Sequence, residues 1–358
     1  MPSRILSLVP VLDLSWFFLQ AKFQAPIGNA RTSWSSRETV LLHVRDVDGR
    51  ASRGEAAPLP GVSSETLADV IAALEKLGPS IVPSELDLNV LPPSLRFALD
   101  AALLGLQASN TLAAQLVTAD LTPRIATYLD MQILLSDVDL QRASDARRDG
   151  AFAFKVKVGR RDEVDAESTL LRHLRTMGRD VIIRADANSK ELDEALVNVL
   201  REVQAEYVED PGPLTRAKLH RAGVHIAIDD LVLRDAHEAL DEIHRARATT
   251  LVIKPSLLGS IERTFTIAAR ARARGGNVVL SHAMESPVGL ATLHQIAFAM
   301  SSISPRTLTP QGLAPWPGLE TFAEKKTGEL IAVPHSWTQA RIPFPHESRP
   351  QSLGQRSL

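Results

Sequence analysis

Ala153-Phe154-Lys155-Val156-Lys157-Val158 is a short apolar run with lysines at alternate positions, and its design recurs along the chain. Arg184-Ala185-Asp186-Ala187-Asn188, Tyr207-Val208-Glu209-Asp210, Ile226-Ala227-Ile228-Asp229-Asp230 and Val252-Ile253-Lys254-Pro255 follow it. Each closes an apolar stretch with a charge and precedes a segment of helical pattern. The charged ends lie roughly 20–30 residues apart, enough for one strand, one helix and two loops. Strands are expected near 131–136, 153–158, 181–186, 205–209, 225–229, 250–254 and 277–281. Amphipathic segments over 162–177, 190–203, 214–222, 235–246 and 260–274 fill the intervals. Such alternation gives a parallel sheet. The number of units suits a TIM-type (β/α)7β barrel, with a doubly wound open sheet as the alternative. Neither a G-x-G-x-x-G fingerprint nor a P-loop is present. In a barrel all five charged ends meet at one mouth, where that architecture carries its active site.

Strand parity selects the side chains. Lys155 and Lys157 share a face, while Phe154, Val156 and Val158 take the other, towards the helices. By the same rule Ala227 and Asp229 oppose Ile226 and Ile228, so Asp229 rather than Asp230 is expected to point inward. Asp186, Glu209 and Asp229 then offer three oxygen ligands with no histidine or cysteine. That set suits a hard cation, Mg2+ by default and Mn2+ as its substitute. Each acid alone would read as the N-cap of the following helix. The strand-end lysines argue otherwise, because a buried ammonium needs a carboxylate partner or a task. Arg184 shares the face of Asp186 and is expected to orient a carboxylate or a lysine. Asn188 follows on the same parity, positioned to bond a ligand or Lys155. Ser281, Met284 and Glu285 lie just past the seventh strand, where a substrate side chain could rest. The ten histidines form no H-E-x-x-H pair and read as ordinary.

Composition bounds the rest. The chain has 358 residues, 44% hydrophobic and 23% charged, with formal net charge −2. It is long enough for a large core and two domains. A charge near zero argues against nucleic acid as the partner. No apolar run approaches the ~20 residues of a membrane-spanning helix. The absence of cysteine removes disulfides, thiolate zinc sites and cysteine nucleophiles, and it fits a reducing cytosol, the expected location. The run Ile5 to Leu12 after Arg4 has the look of a short signal peptide, but Pro10 and Asp13 interrupt it. The polar stretch from Phe344 to Leu358 reads as a mobile end.

The first 110 residues read as an α+β module. Thr39 to Arg45 is strand-like, Asp46-Val47-Asp48-Gly49 is a turn, and Arg50 to Glu55 returns as a hairpin partner. A helix is expected over 63–74 with Ser63 or Ser64 as its N-cap, and a second over 94–106 behind Pro93.

The set K-x-K, D-x-N, V-E-D, D-D and K-P resembles the enolase superfamily, in its muconate-cycloisomerase-like group. Further motifs are similar to the o-succinylbenzoate synthase family. They are Gly54-Glu-Ala-Ala-Pro-Leu-Pro-Gly61 with Ser64-Glu-Thr66, Pro93-Ser94 to Leu103, Val252-Ile-Lys-Pro-Ser256 with Gly259-Ser260, and Ser281-His-Ala-Met-Glu-Ser-Pro-Val-Gly-Leu290. The resemblance spans about residues 35–320. It departs at Asp229-Asp230-Leu231, where relatives read D-E-S, and at Ala314-Pro315-Trp316, where polar residues are usual. It implies a capping domain over 1–110, a (β/α)7β barrel over 115–320 and a segment over 321–358 that returns to the cap. A closing lid is expected between Phe17 and Arg37. It also implies Mg2+-dependent syn dehydration of 2-succinyl-6-hydroxy-2,4-cyclohexadiene-1-carboxylate to 2-succinylbenzoate, in menaquinone biosynthesis. Lys157 would move the proton, and Lys254 would stay charged and stabilise the intermediate. The same residues would serve an N-succinylamino-acid racemase or a dipeptide epimerase. A catalytically dead scaffold should have lost a ligand or a lysine, and none is missing.

Overall fold

The computed structural model describes residues 11–28, 32–108, 128–130, 132–135, 139–160, 164–303, 309–315, 319, 321–332 and 341–343. In chain order the first half holds β1 (Leu12–Gly28), β2 (Ser33–Arg45), β3 (Ala51–Ala56), α1 (Leu67–Leu77), β4 (Ser80–Ile81), α2 (Pro93–Ala108), β5 (Tyr128–Asp130) and β6 (Ile133–Leu135). The alternating part holds α3 (Leu140–Arg148), β7 (Ala153–Lys157), α4 (Val164–Thr176), β8 (Ile182–Asp186), α5 (Glu194–Glu202), β9 (Tyr207–Glu209), α6 (Pro213–Ala222) and β10 (Ile226–Ile228). It continues through α7 (Asp230–Arg234), α8 (Ala236–His244), β11 (Thr250–Ile253), α9 (Pro255–Leu258), α10 (Ile261–Ala273), β12 (Asn277–Leu280) and α11 (Pro287–Ile303). The short strands β13 (Thr321–Glu324), β14 (Leu330–Ala332) and β15 (Arg341–Pro343) end the order.

Seven strands, β6 to β12, form one parallel sheet in sequence order. Consecutive strands lie side by side because each returns through a helix on the outer face. Phe154, Val156, Ile183, Ala185, Ile226, Ile228, Leu251 and Ile253 pack outward into the main core with those helices. The opposite parity holds a small apolar plug of Tyr207, Ala227, Val252 and Val279. Each plug residue stands two positions before Glu209, Asp229, Lys254 or Ser281, so the strand ends carry their polar side chains one layer above this plug. The sheet curls so that its two edges reach the same residues. Gln132 N–H donates to Gln311 O at 2.8 Å, and Gly312 N–H donates to Leu280 O at 2.8 Å. Gly312 also pairs with Ser281 in a parallel bridge.

The second sheet is antiparallel, in the order β14-β13-β1-β2-β3, with β4 on β1. Its centre is a long ribbon that pairs Asp13 with Arg45 at one end and Ile27 with Trp34 near the other. Phe17 to Gly28 and Ser33 to Arg37 therefore lie in paired strands rather than in a loop; residues 29–31 lie outside the described residues. Both faces of the ribbon are covered over Thr39–Leu42, while Asp13, Ser15, Ser35, Ser36 and Arg45 are exposed. Leu12, Leu14, Val40, Leu42 and Val44 pack with α1 and α2, whereas Leu19, Ala21, Trp34 and Leu41 pack with Ala283 and Met284 from the parallel-sheet side. The first helix starts later than expected. Thr66 is its N-cap, and its hydroxyl and Asp69 complete a reciprocal capping box. Ser63 instead accepts Leu59 N–H at 2.8 Å. The signal-like run up to Pro10 and the tail from Phe344 lie outside the described residues. Among the described residues, no helix is long and apolar enough to cross a membrane.

Candidate active site

The strand ends of the parallel sheet and one edge of the antiparallel sheet enclose a cavity of about 270 Å³. Lys155, Lys157, Asp186, Asn188, Glu209, Asp229, Lys254, Ser281 and Met284 all line it. Backbone register brings the first of these together. Lys157 pairs with Asp186, and Asp186 with Glu209, across neighbouring strands. Helix capping is not what these acids do. Asp193 caps α5 and Asp235 caps α8, while Asp229 stands at the N-cap of α7 without a side-chain capping bond.

The lysines neutralise the acids in pairs. Lys155 Nζ donates to both carboxylate oxygens of Glu209, at 2.9 and 3.0 Å, and lies 3.6 Å from Asp186. Lys254 Nζ bonds Asp229 Oδ2. Burial alone would lower both ammonium groups, but the carboxylates outweigh it and hold both pKa values above the ordinary lysine value. Lys157 behaves oppositely. Burial lowers its pKa, Lys155 and Lys254 add to the fall, and Asp186 and Glu209 only partly oppose it. The acids divide too. Burial would raise Asp186, but three lysines pull it below its ordinary value. Burial pushes Glu209 up to about 8, against Lys155 and with the help of Asp186 and Asp229.

Some expected residues sit elsewhere. Arg184 is buried below the cavity wall, donating to Glu206 and Gln132 at 2.6 Å and to Pro310 O at 2.7 Å, with its guanidinium 5.0 Å from the Tyr207 ring centre. It ties the floor of the sheet together rather than reaching the cavity. Glu285 is also behind the wall, where it accepts from Ser256 Oγ and from Ala283 N–H. Asn188 lines the cavity, and its Nδ2 donates to Asp186 Oδ1 at 2.6 Å.

Other residues were not singled out by sequence. Asp210 accepts the N–H groups of Asp229 and Asp230 at 3.1 and 2.9 Å, tying one strand end to the next. Burial, with Asp229 adding to it, pushes its carboxyl up to about 6. The tandem Glu209-Asp210 was the available signal. Among the described residues, the acids whose oxygens approach within 4.8 Å of one another are Asp210, Asp229 and Asp230. Only Asp229 belongs also to the triad expected from strand parity. His282 lines the cavity, and burial with nearby Lys254 lowers its imidazole to about 4. Trp34, Leu59, Gly61 and Val62 reach the cavity from the antiparallel-sheet side, which local sequence patterning does not reveal.

Residues 139–326 match the enolase C-terminal domain-like family. The chain is 30% identical to the o-succinylbenzoate synthase of Enterobacter sp. (strain 638), over 80% of this chain and 84% of that relative. It is 28% identical to the o-succinylbenzoate synthase of Klebsiella pneumoniae (strain 342), over 86% and 89%. Solved structures share the fold. The o-succinylbenzoate synthase from Thermosynechococcus elongatus BP-1, complexed with Mg, aligns with TM-score 0.61 and 24% identity, over 84% of this chain and 92% of the other. The dipeptide epimerase from Methylococcus capsulatus, complexed with Mg and the dipeptide L-Arg-D-Lys, aligns with TM-score 0.65 and 23% identity, over 81% and 88%.

Proposed function

This chain belongs to the enolase superfamily, in the enolase C-terminal domain-like family, and from that premise we propose that it is a lyase of the o-succinylbenzoate synthase type. The reaction is the syn dehydration of 2-succinyl-6-hydroxy-2,4-cyclohexadiene-1-carboxylate to 2-succinylbenzoate, a cytoplasmic step of menaquinone biosynthesis. One observation carries the reading. Lys157 and Lys254 line a single cavity with Asp186, Glu209 and Asp229, and Lys157 alone of the three lysines there is held towards its neutral form. In this reading Gln311 and Gly312 belong to the eighth strand of a (β/α)7β barrel over 115–320. Residues 1–110 and the returning segment over 321–358 form its cap.

The donor set fits a hard divalent cation. It is all oxygen, and the buried Asp229 Oδ1 has no hydrogen-bond partner among the described residues. Asp186, Glu209 and Asp229 would hold the ion, Mg2+ or in its place Mn2+. When bound it supplies Lewis-acid stabilisation of the negative charge that grows on the substrate carboxylate.

The chain's own groups do the remainder. Lys157 Nζ, neutral, takes the proton α to the carboxylate and delivers it to the hydroxyl leaving from the same face. Lys254 Nζ, charged, attracts the electron-rich ring from the other side. Lys155 stays on Glu209 and fixes its orientation. Asn188 does the same for Asp186. Trp34, Leu59 and Val62 cover the ring and exclude water, and Arg234, at the exposed rim, meets the succinyl carboxylate.

The test uses purified protein with Mg2+ and two substrates. Dehydration of the cyclohexadiene carboxylate to 2-succinylbenzoate is the expected result. Rapid racemisation of an N-succinylamino acid in D2O, with no dehydration, would replace this reading with the racemase.

A further inference from the structure

The loop that follows β3 and the loop that follows β12 adjoin at the cavity, and the Arg37 side chain bonds both. Arg37, on β2, is 1% exposed. Among the described residues its guanidinium donates to backbone carbonyls: from Nη1 to Pro58 at 2.7 Å and Glu38 at 3.0 Å, from Nη2 to Ala57 at 2.7 Å and Ala283 at 3.3 Å, and from Nε to Met284 at 3.0 Å. Ala57 and Pro58 lead directly into Leu59, Gly61 and Val62 of one wall. Ala283 and Met284 line the cavity beside them and share an apolar cluster with Trp34 and Leu59.

Met284 carries a second sign of constraint. Its φ of 62° lies in the left-handed region, unfavourable for a residue with a side chain. Such a conformation persists only where its surroundings over-determine it. Here Arg37 holds the Met284 carbonyl, and Met284 N–H donates to His282 Nδ1 at 3.2 Å. The downstream end of the loop is held from the same sheet. Glu55 on β3 accepts Ser286 N–H at 2.9 Å and Gly289 N–H at 2.8 Å, at the start of α11.

We propose that Arg37 is a positioning residue that locks the loop after β3 to the loop after β12 where both line the cavity, and holds Met284 in its left-handed conformation against the substrate. The inference rests on the proposed function for the identity of that substrate. Arg37 reaches no reacting atom. Its planar fork can serve acceptors on both loops at once, which the compact ammonium of lysine cannot do.

Two measurements test it. In the ligand-free wild type, hydrogen exchange of the Ala283, Met284 and Ser286 amides should be as slow as that of core strands. Exchange at the rate of a solvated loop would overturn the clamp without any variant being made. In Arg37→Lys the same amides should exchange at least about tenfold faster while those of α4 do not change. For the cyclohexadiene carboxylate, KM should rise about tenfold with kcat within about threefold of wild type. The constant for 2-succinylbenzoate binding should weaken in parallel. An unchanged KM with only a lower melting temperature would make Arg37 a packing residue, and a fall in kcat at constant KM would place it in the chemistry; either overturns the proposal. If wild type turned over no substrate, the functional reading would fail, and the exchange data would still decide the clamp.

Discussion

The parallel and antiparallel sheets solve the burial of a strand in opposite ways. In the parallel sheet each strand gives one parity to the helices and the other to the interior, so Phe154 and Val156 face out while Lys155 and Lys157 face in. A charge on the interior parity then stands out in the sequence as an exception. In the β1–β2 ribbon both parities are buried over Thr39–Leu42, one under α2 and the other against the cavity wall. Within that stretch no position contrasts with its neighbours in the same way. The lesson is that function shows through sequence where one face of an element is chemically unlike the other, and is hidden where both faces are packed.

The largest expected effect tests the interior parity. Lys157→Ala should lower kcat by about a thousandfold or more, with unchanged far-UV circular dichroism, because it removes the lysine proposed to accept the proton. Turnover within tenfold of wild type would break the claim that interior charges are the working ones. The next tests the packed side of the comparison. A methyl group at Gly54, on β3, would lie 1.9 Å from the Ala98 carbonyl oxygen of α2. Gly54→Ala should therefore cost about 2–3 kcal/mol by urea denaturation, an overpacking penalty at a position with no catalytic part.

A third prediction concerns acid stability. His294 on α11 is buried, and burial depresses its pKa to about 4. The unfolded chain takes up that proton near pH 6.5, while the native one refuses it until about pH 4. The native state's advantage is thus complete above about pH 6.5 and is lost as pH falls towards 4. His294→Gln should flatten that part of the stability–pH curve, by on the order of 2 kcal/mol. Denaturant titrations at pH 7, 5.5 and 4.5 would show it, and an unaltered slope would refute it. The smallest effect separates the two acidic triads. Asp230→Asn should leave kcat/KM within about threefold and the Mg2+ affinity nearly unchanged, whereas Asp186→Asn should weaken the metal at least tenfold by calorimetry. The reverse order would move the ion to Asp210, Asp229 and Asp230.

The legible part of this molecule follows from that contrast. Parity assigned Lys155, Lys157 and Asp229 to the interior, and β7, β8 and β11 lie within a residue or two of their expected bounds. Arg184 shared the right parity but stands one layer lower, among Tyr207 and Gln132, and depth along a strand is set by register with neighbours that the local pattern does not contain. Glu285 looked like a cavity residue because it follows β12, yet the left-handed turn at Met284 sends it behind the wall to Ser256. His282 and Asp210 gained their places from loops tied across strand ends. Trp34 and Arg37 come from the other sheet and Leu59 from the loop after β3, and only the tertiary docking of the two sheets reveals them. The helix start was misplaced by a nearer hydroxyl. Ser63 and Ser64 satisfy the rule for a cap, but Thr66 with Asp69 satisfies it reciprocally.

The length of β1 makes its register a reading frame shared by two cores. One residue inserted near Ser15 would move Leu12 and Leu14 to the wrong side of the sheet or displace Leu19 and Ala21 from the other core, so a single event damages two interiors. Between Lys22 and Ile27 the pairing is already out of step with Trp34 and Ser36, and an extra residue there would be taken up as a larger bulge. Change in chain length is therefore closed to this ribbon at its base and open at its tip, beside the edge where Trp34 overlooks the cavity.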